Sequence, residues 1–202
     1  TYSEALFVED KYGRNKAIGF VKERFKKNIK NEYPIVMGEN GTSQHLAGND
    51  VYYKGAYILH MLRYLIGDKV FKPTLKEFVQ MPKELGENQT STKEFISLVN
   101  ENTNSNFQWF FDVYIYQNKL PVLNIKETKG PKHSFADFWW ENRNFKMPVE
   151  ITYNGIDGKI KRRLKLNNDP MRIAFLTNSK YKLDPDSWLL FTTTKRKENR
   201  DQ

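Results

Sequence analysis

Apolar residues recur at intervals of three and four along Asn49–Gly67, where Ala56, Leu59, Leu62 and Ile66 form one stripe and Ile58, Met61 and Leu65 widen it. A stripe that wide predicts a largely buried helix, around which the rest of the chain is organised. Before it, Tyr2, Ala5, Leu6 and Glu9 already keep helical spacing from Thr1, so the chain is read as beginning inside a helix that Gly13 ends. Ile18, Val21, Phe25 and Ile29 predict a second helix over Asn15–Asn31, with a lysine-rich solvated face. Pro34, Gly38, Gly41 and Gly48 make Asn31–Asn49 a long loop.

Gly67 and Asp68 predict a stop and a new N-cap for a helix through Gln80, with Pro73 tolerable near its first turn. Met81–Thr90 is a polar connection. Ser91 and Glu94 fit a capping box that opens a fifth helix, and Phe107–Gln117 a sixth.

After Asn118 the period falls from 3.6 to 2. Pro121–Thr128, Phe135–Asn142, Phe145–Tyr153, Lys159–Leu166, Met171–Thr177 and Trp188–Thr193 read as short strands parted by turn signals such as Asn154-Gly155 and Asp157-Gly158. The expected fold class is α+β, a helical unit over 1–118 followed by a small antiparallel β-sandwich over 119–194, with 195–202 a frayed charged tail.

The 202 residues carry a net charge of +9 and no cysteine, which excludes a disulfide framework, a thiolate metal site and a cysteine nucleophile. The charge is local, since 1–118 holds 15 Lys/Arg against 14 Asp/Glu and the remainder 18 against 10. Lys161, Arg163 and Lys165 alternate with Arg162 and Leu164 as on an exposed strand, so a charged sheet edge explains them better than nucleic-acid binding. No apolar run reaches the length of a membrane span, roughly 18 to 20 residues, and no signal peptide opens the chain. The expected setting is a soluble bacterial protein, exported to the periplasm or cytoplasmic.

Candidate chemistry concentrates at Tyr52-Tyr53-Lys54-Gly55, where the long loop enters the central helix. The bland reading makes Lys54 a surface cation and Gly55 a small residue for close helix packing. Of the three histidines, His60 reads as a satisfied core residue, His45 is a weak candidate in the loop, and His133 has no partner. None has a second histidine four residues away, so an H-E-x-x-H zinc site is absent and no metal or cofactor ligand is assigned.

The run Asp50–Phe71, DVYYKGAYILHMLRYLIGDKVF, then the capped helix at Ser91, Phe110-Phe111-Asp112 and Leu120-Pro121-Val122-Leu123, resembles the aminopeptidase N family of zinc metallopeptidases. Thr1–Leu6, TYSEAL, is similar to the residues just after that family's N-E-G-F-A segment, whose glutamate is a zinc ligand. The resemblance implies the C-terminal part of a thermolysin-like catalytic domain joined to a β-sandwich, with Asp184–Leu190 similar to its closing strand. It implies peptide substrates and Zn2+ in the parent enzyme, attack by zinc-bound water, and a role for Tyr52 as hydrogen-bond donor to the oxyanion. The zinc ligands, general base and amino-terminus site that the family carries on earlier segments are missing, so the chain alone is expected to be inactive and without zinc. Two other readings remain: a non-catalytic relative serving as an interaction scaffold, and a free-standing binding module.

Overall fold

A computed structural model describes residues 1–37, 48–81, 90–177 and 179–199. Among them six α-helices precede seven strands. Helix α1, Tyr2–Tyr12, ends at Gly13, whose φ of 84° suits a residue without Cβ. Helix α2, Arg14–Phe20, does not run on as one α-helix to Asn31 as the spacing predicts. It widens into a π-turn over Val21–Phe25 and tightens into a 3-10 turn over Lys26–Asn28. The π-turn buries both Val21 and Phe25, and the Asn28 amide donates to the Arg24 carbonyl at 2.9 Å, closing the last turn.

Helix α3, Asp50–Ile66, is the predicted central helix, with Tyr57, Met61 and Leu62 fully buried. Helix α4, Asp68–Gln80, carries Pro73 in its second turn rather than its first. The same turn is reinforced by the Thr74 hydroxyl, which donates to the Val70 carbonyl at 2.8 Å. Helix α5, Thr92–Thr103, opens on the expected capping box of Ser91 and Glu94. Helix α6, Gln108–Tyr114, stops short of Gln117, and the Ile115 carbonyl just past its end accepts the N–H groups of Ile35 (2.8 Å) and Val36 (3.2 Å). The connection over 82–89 and most of the long loop, 38–47 with His45, lie outside the described residues.

Strands β1 (Val122–Lys129), β2 (His133–Trp140), β5 (Met171–Leu176) and β7 (Thr192–Asn199) make one sheet in the order β5-β2-β1-β7. Strands β3 (Val149–Gly155), β4 (Gly158–Leu164) and β6 (Tyr181–Leu183) make a second, ordered β4-β3-β6. Aromatic contacts join the two faces, Phe138 edge-on to Tyr181 at 5.4 Å and Tyr153 edge-on to Phe175 at 4.9 Å.

Three expectations are corrected here. Pairing is antiparallel except for β1 and β7, which run parallel with Ile125 opposite Lys195. Residues 195–199 are therefore strand and not a frayed tail, because β1 offers them a complete ladder. Asp184–Leu190 is not a closing strand. Asp184 (φ 44°) and Ser187 (φ 55°) turn the backbone into the left-handed region, and the Asp184 carboxylate accepts the N–H groups of Trp188 (2.7 Å) and Leu189 (2.9 Å).

That turn drives Trp188, Leu189 and Leu190 into the helical unit, where all three are buried. The Tyr57 hydroxyl donates to the Ser187 carbonyl at 2.6 Å and the Tyr114 hydroxyl to the Leu190 carbonyl at 3.0 Å. Lys26 Nζ donates to the Leu189 carbonyl at 2.8 Å. One hydrophobic cluster thus runs from Tyr2 in α1 to Phe175 in β5 without a break. The charge of the second sheet is partly committed to this junction: Lys161 pairs with Glu150 and Asp186, and the Arg163 guanidinium lies 4.1 Å from the Tyr64 ring centre.

Candidate functional site at the entrance of the central helix

The first turn of α3 is fixed from three sides. The Asn49 carbonyl accepts the N–H groups of Tyr52 (3.1 Å) and Tyr53 (2.9 Å), starting the helix. The Asp50 carboxylate accepts the backbone N–H groups of Lys30 (2.9 Å) and Asn31, so the chain leaving α2 is clamped to this turn. Asn31 and Asn118 then exchange side-chain amide bonds to each other's neighbourhood, Asn118 donating to the Glu32 carbonyl at 2.9 Å and Asn31 to the Asn118 carbonyl.

Lys54 completes the clamp, and the structure corrects its reading as a surface cation. Only 1% of the residue is exposed, and its Nζ donates to the Gln117 carbonyl at 3.0 Å. Loss of water around the ammonium pulls its pKa down to about 8, against the opposing attraction of Asp50. Lys54 stands three and four residues before Tyr57 and Ile58, on the apolar stripe, which is the signal in the sequence that places it inside.

Successive helical residues project about 100° apart, so the doubled tyrosine divides. Tyr53 is half-buried with the Arg24 guanidinium 5.9 Å from its ring centre, whereas Tyr52 is 62% exposed. The Tyr52 hydroxyl has no hydrogen-bond partner among the described residues. Gly55 lies one turn on from Tyr52, on the same side of the helix. A Cβ built at Gly55 meets no atom within 4 Å, so the glycine does not serve close helix packing among the described residues. What it leaves, among the described residues, is bare backbone next to an exposed phenol, a place where an extended chain can approach.

Neither His60 nor His133 takes part in this entrance. His60 lies inside α3, stacked on Trp188 at 4.3 Å between ring centres, with Tyr57 and Tyr2 further out. It is a core residue as expected but not a satisfied one, since its Nε2 is buried without a partner. Burial first, then Arg63, Arg14 and Lys26, push its pKa down to about 3, so it is neutral. His133 opens β2 and is exposed. Among the described residues no three His, Cys, Asp or Glu side chains gather as a metal-ligand set. No helix of the described residues is long and apolar enough to cross a membrane.

A second polar network holds the frame behind the entrance. The Arg63 guanidinium is buried and bridges Glu9 of α1 and Asp68 of α4, with Nε 2.6 Å from Asp68 Oδ1. Bidentate geometry on both sides satisfies the buried charge. Both carboxyls are held below the ordinary range, chiefly by their hydrogen bonds to Arg63.

These features define an α+β protein whose candidate working groups stand at the entrance to a buried helix. Residues 4–114 match the peptidase family M1 domain, more than half of the chain, and the chain belongs to that family. The chemistry of the family is peptide hydrolysis, its substrates are peptides, and its members in general depend on zinc. No curated protein matches the chain.

Proposed function

We propose that the chain is the part of a zinc-dependent aminopeptidase that carries the oxyanion-stabilising tyrosine. In this reading 1–118 form the C-terminal portion of a thermolysin-like peptidase domain and the sheets after it the adjoining β-sandwich. The observation that carries the proposal is the Tyr52 hydroxyl, exposed beside the open backbone at Gly55 on a turn that Asp50 and Lys54 hold rigid. As a peptide carbonyl is attacked, its oxygen gathers negative charge, and one donor held in place lowers that barrier by ~3 to 4 kcal/mol. The clamp at Asp50 and Lys54 means that the backbone carrying the donor need not be ordered again when substrate arrives.

The zinc ligands do not fit onto the described residues: His60 is buried and neutral, His133 opens a strand, and no ligand set forms. The metal site and general base are proposed to lie on segments outside them, and the 202-residue chain alone to be inactive. The test is steady-state kinetics of Tyr52→Phe and Tyr53→Phe in the full-length, zinc-loaded enzyme. A full-length protein that binds no zinc and cleaves no peptide would instead be a non-catalytic relative.

A further inference from the structure

Residues that alternation places on the inner face of the four-stranded sheet are apolar through Leu123, Ile125, Phe138 and Ile173. Toward one end of the sheet the same face turns polar and cationic. Glu127 continues the Leu123–Ile125 row of β1, and the ladder sets Lys195 opposite Ile125 and Lys197 opposite Glu127, so both lysines point inward. Here, among the described residues, the two sheets leave a half-open cavity of ≈ 670 Å³ instead of a packed core. Its floor is aromatic, with Phe175 stacked on Tyr181 at 5.2 Å.

Four lysines line it, Lys129, Lys180, Lys195 and Lys197, against one carboxylate, Glu127. Glu127 is already engaged, since it accepts the Tyr181 hydroxyl and lies 3.9 Å from Lys195 Nζ. Lys195 also sits 5.3 Å from the Tyr181 ring centre, which fixes its position. The other three have no carboxylate partner among the described residues. Inward-pointing charge on an edge strand can serve only to deter pairing. That role does not account for Lys129 on the interior strand β1 or for Lys180 beside the opposite sheet, both converging on the same cavity.

We propose that this end of the sandwich is a binding site for a small organic anion with an apolar body, an aryl or short alkyl carboxylate. The volume falls within the usual range for small-molecule sites, roughly 300 to 1,000 Å³. The apolar body stacks on Phe175 and Tyr181, and the carboxylate accepts from Lys197 and its neighbouring lysines. The site is independent of Tyr52 and of the peptidase reading.

Calorimetry and amide NMR on the 202-residue chain test it, with 2-naphthoate as probe, octanoate as the alkyl arm and 2-naphthamide as the uncharged control. Binding of 2-naphthoate with amide shifts centred on Phe175 and Tyr181 is expected, at least about fivefold tighter than 2-naphthamide. The Lys195→Met/Lys197→Met double variant should weaken 2-naphthoate about five- to tenfold, the sum expected of two partly exposed charges, with an unchanged melting temperature. Octanoate binding alongside 2-naphthoate extends the class to alkyl chains, and its absence restricts the proposal to aryl anions. Equal affinity for naphthoate and naphthamide overturns the proposal, as does shift confined to other surfaces or no binding at millimolar probe. Should the double variant unfold, Lys129→Met, away from the β7 edge, carries the same expectation at about half the effect on a logarithmic scale.

Discussion

Lys54 Nζ lies 3.0 Å from the carbonyl oxygen of Gln117, joining the first turn of the central helix to the chain that leaves α6. Lys54 itself is buried, so the ammonium keeps one protein acceptor in return for most of its water. It explains why a helix entrance that presents Tyr52 to solvent nevertheless has a fixed geometry: the residue two positions on is anchored to the far side of the helical unit.

Lys54 should leave a signature in alkali. Its pKa is near 8 when folded and 10.5 when unfolded, so between those values the unfolded chain binds more protons and stability rises with pH. The gain is at most about 1.4 kcal/mol per pH unit. Above pH 10 the trend reverses, because tyrosines such as Tyr2, raised to about 12 by burial, ionise first in the unfolded chain. Urea titrations from pH 7.5 to 10 should show a steeper rise in the wild type than in Lys54→Met, which keeps only the contribution of Lys26, also lowered by burial. Parallel curves for the two proteins would refute the burial of a charged Lys54.

His60 predicts an acid-side dependence. Its folded pKa is about 3 against an unfolded value near 6.5. Between these pH values the unfolded chain again binds the extra proton, so stability contributed by neutral His60 is lost as pH falls from 6.5. The wild type should lose stability between pH 6.5 and 4.5, and His60→Phe, which keeps the ring stacked on Trp188, should lose less. Equal losses would mean that His60 is protonated in the folded chain.

Asp184 is the residue that folds Trp188–Leu190 into the helices. Asp184→Ala leaves the Trp188 and Leu189 N–H groups without their acceptor and removes the carboxylate 3.7 Å from Lys26. The expected cost is ~2 to 4 kcal/mol, in line with leaving buried donors unpaired, together with a red-shifted tryptophan emission as Trp188 loses its cover. A change under about 0.5 kcal/mol, the range of ordinary surface substitutions, would show that the turn is set by something else.

Tyr52→Phe separates chemistry from stability. The hydroxyl has no partner among the described residues, so the melting temperature should not move. If the proposed function holds, kcat and kcat/KM of the full-length enzyme should fall together by about two to three orders of magnitude, with KM little changed. Tyr53→Phe should have near-normal kinetics, since Tyr53 is turned toward Arg24. A larger loss in Tyr53→Phe would assign the role to the wrong ring.

Much of the fold was legible in the chain itself. Period 3.6 in Ala56–Ile66 and period 2 after Pro121 are local consequences of where a side chain points, so helix α3, the capping box at Ser91 and the change to strands need nothing but sequence. The motif Tyr52-Tyr53-Lys54-Gly55 also stood out, and its match to the family pattern picked Tyr52; helical geometry turns the two rings apart, and which of them faces solvent came from the fold.

Tertiary structure decided whatever depends on a distant partner. Sequence gives Lys195–Asn199 only as charge, and it is the unpaired edge of β1 that makes it a strand. Trp188-Leu189-Leu190 has a strand's composition, and only the Asp184 turn, with the Tyr57 and Tyr114 hydroxyls waiting in the helices, commits it to another place. Helical spacing could have put Lys54 on the buried stripe, but only the fold supplied the acceptor its ammonium needs there, the Gln117 carbonyl 63 residues away. Pattern records how a residue faces relative to its neighbours in sequence; whether water, a carbonyl or a packed ring meets it there is fixed by contacts the pattern does not contain.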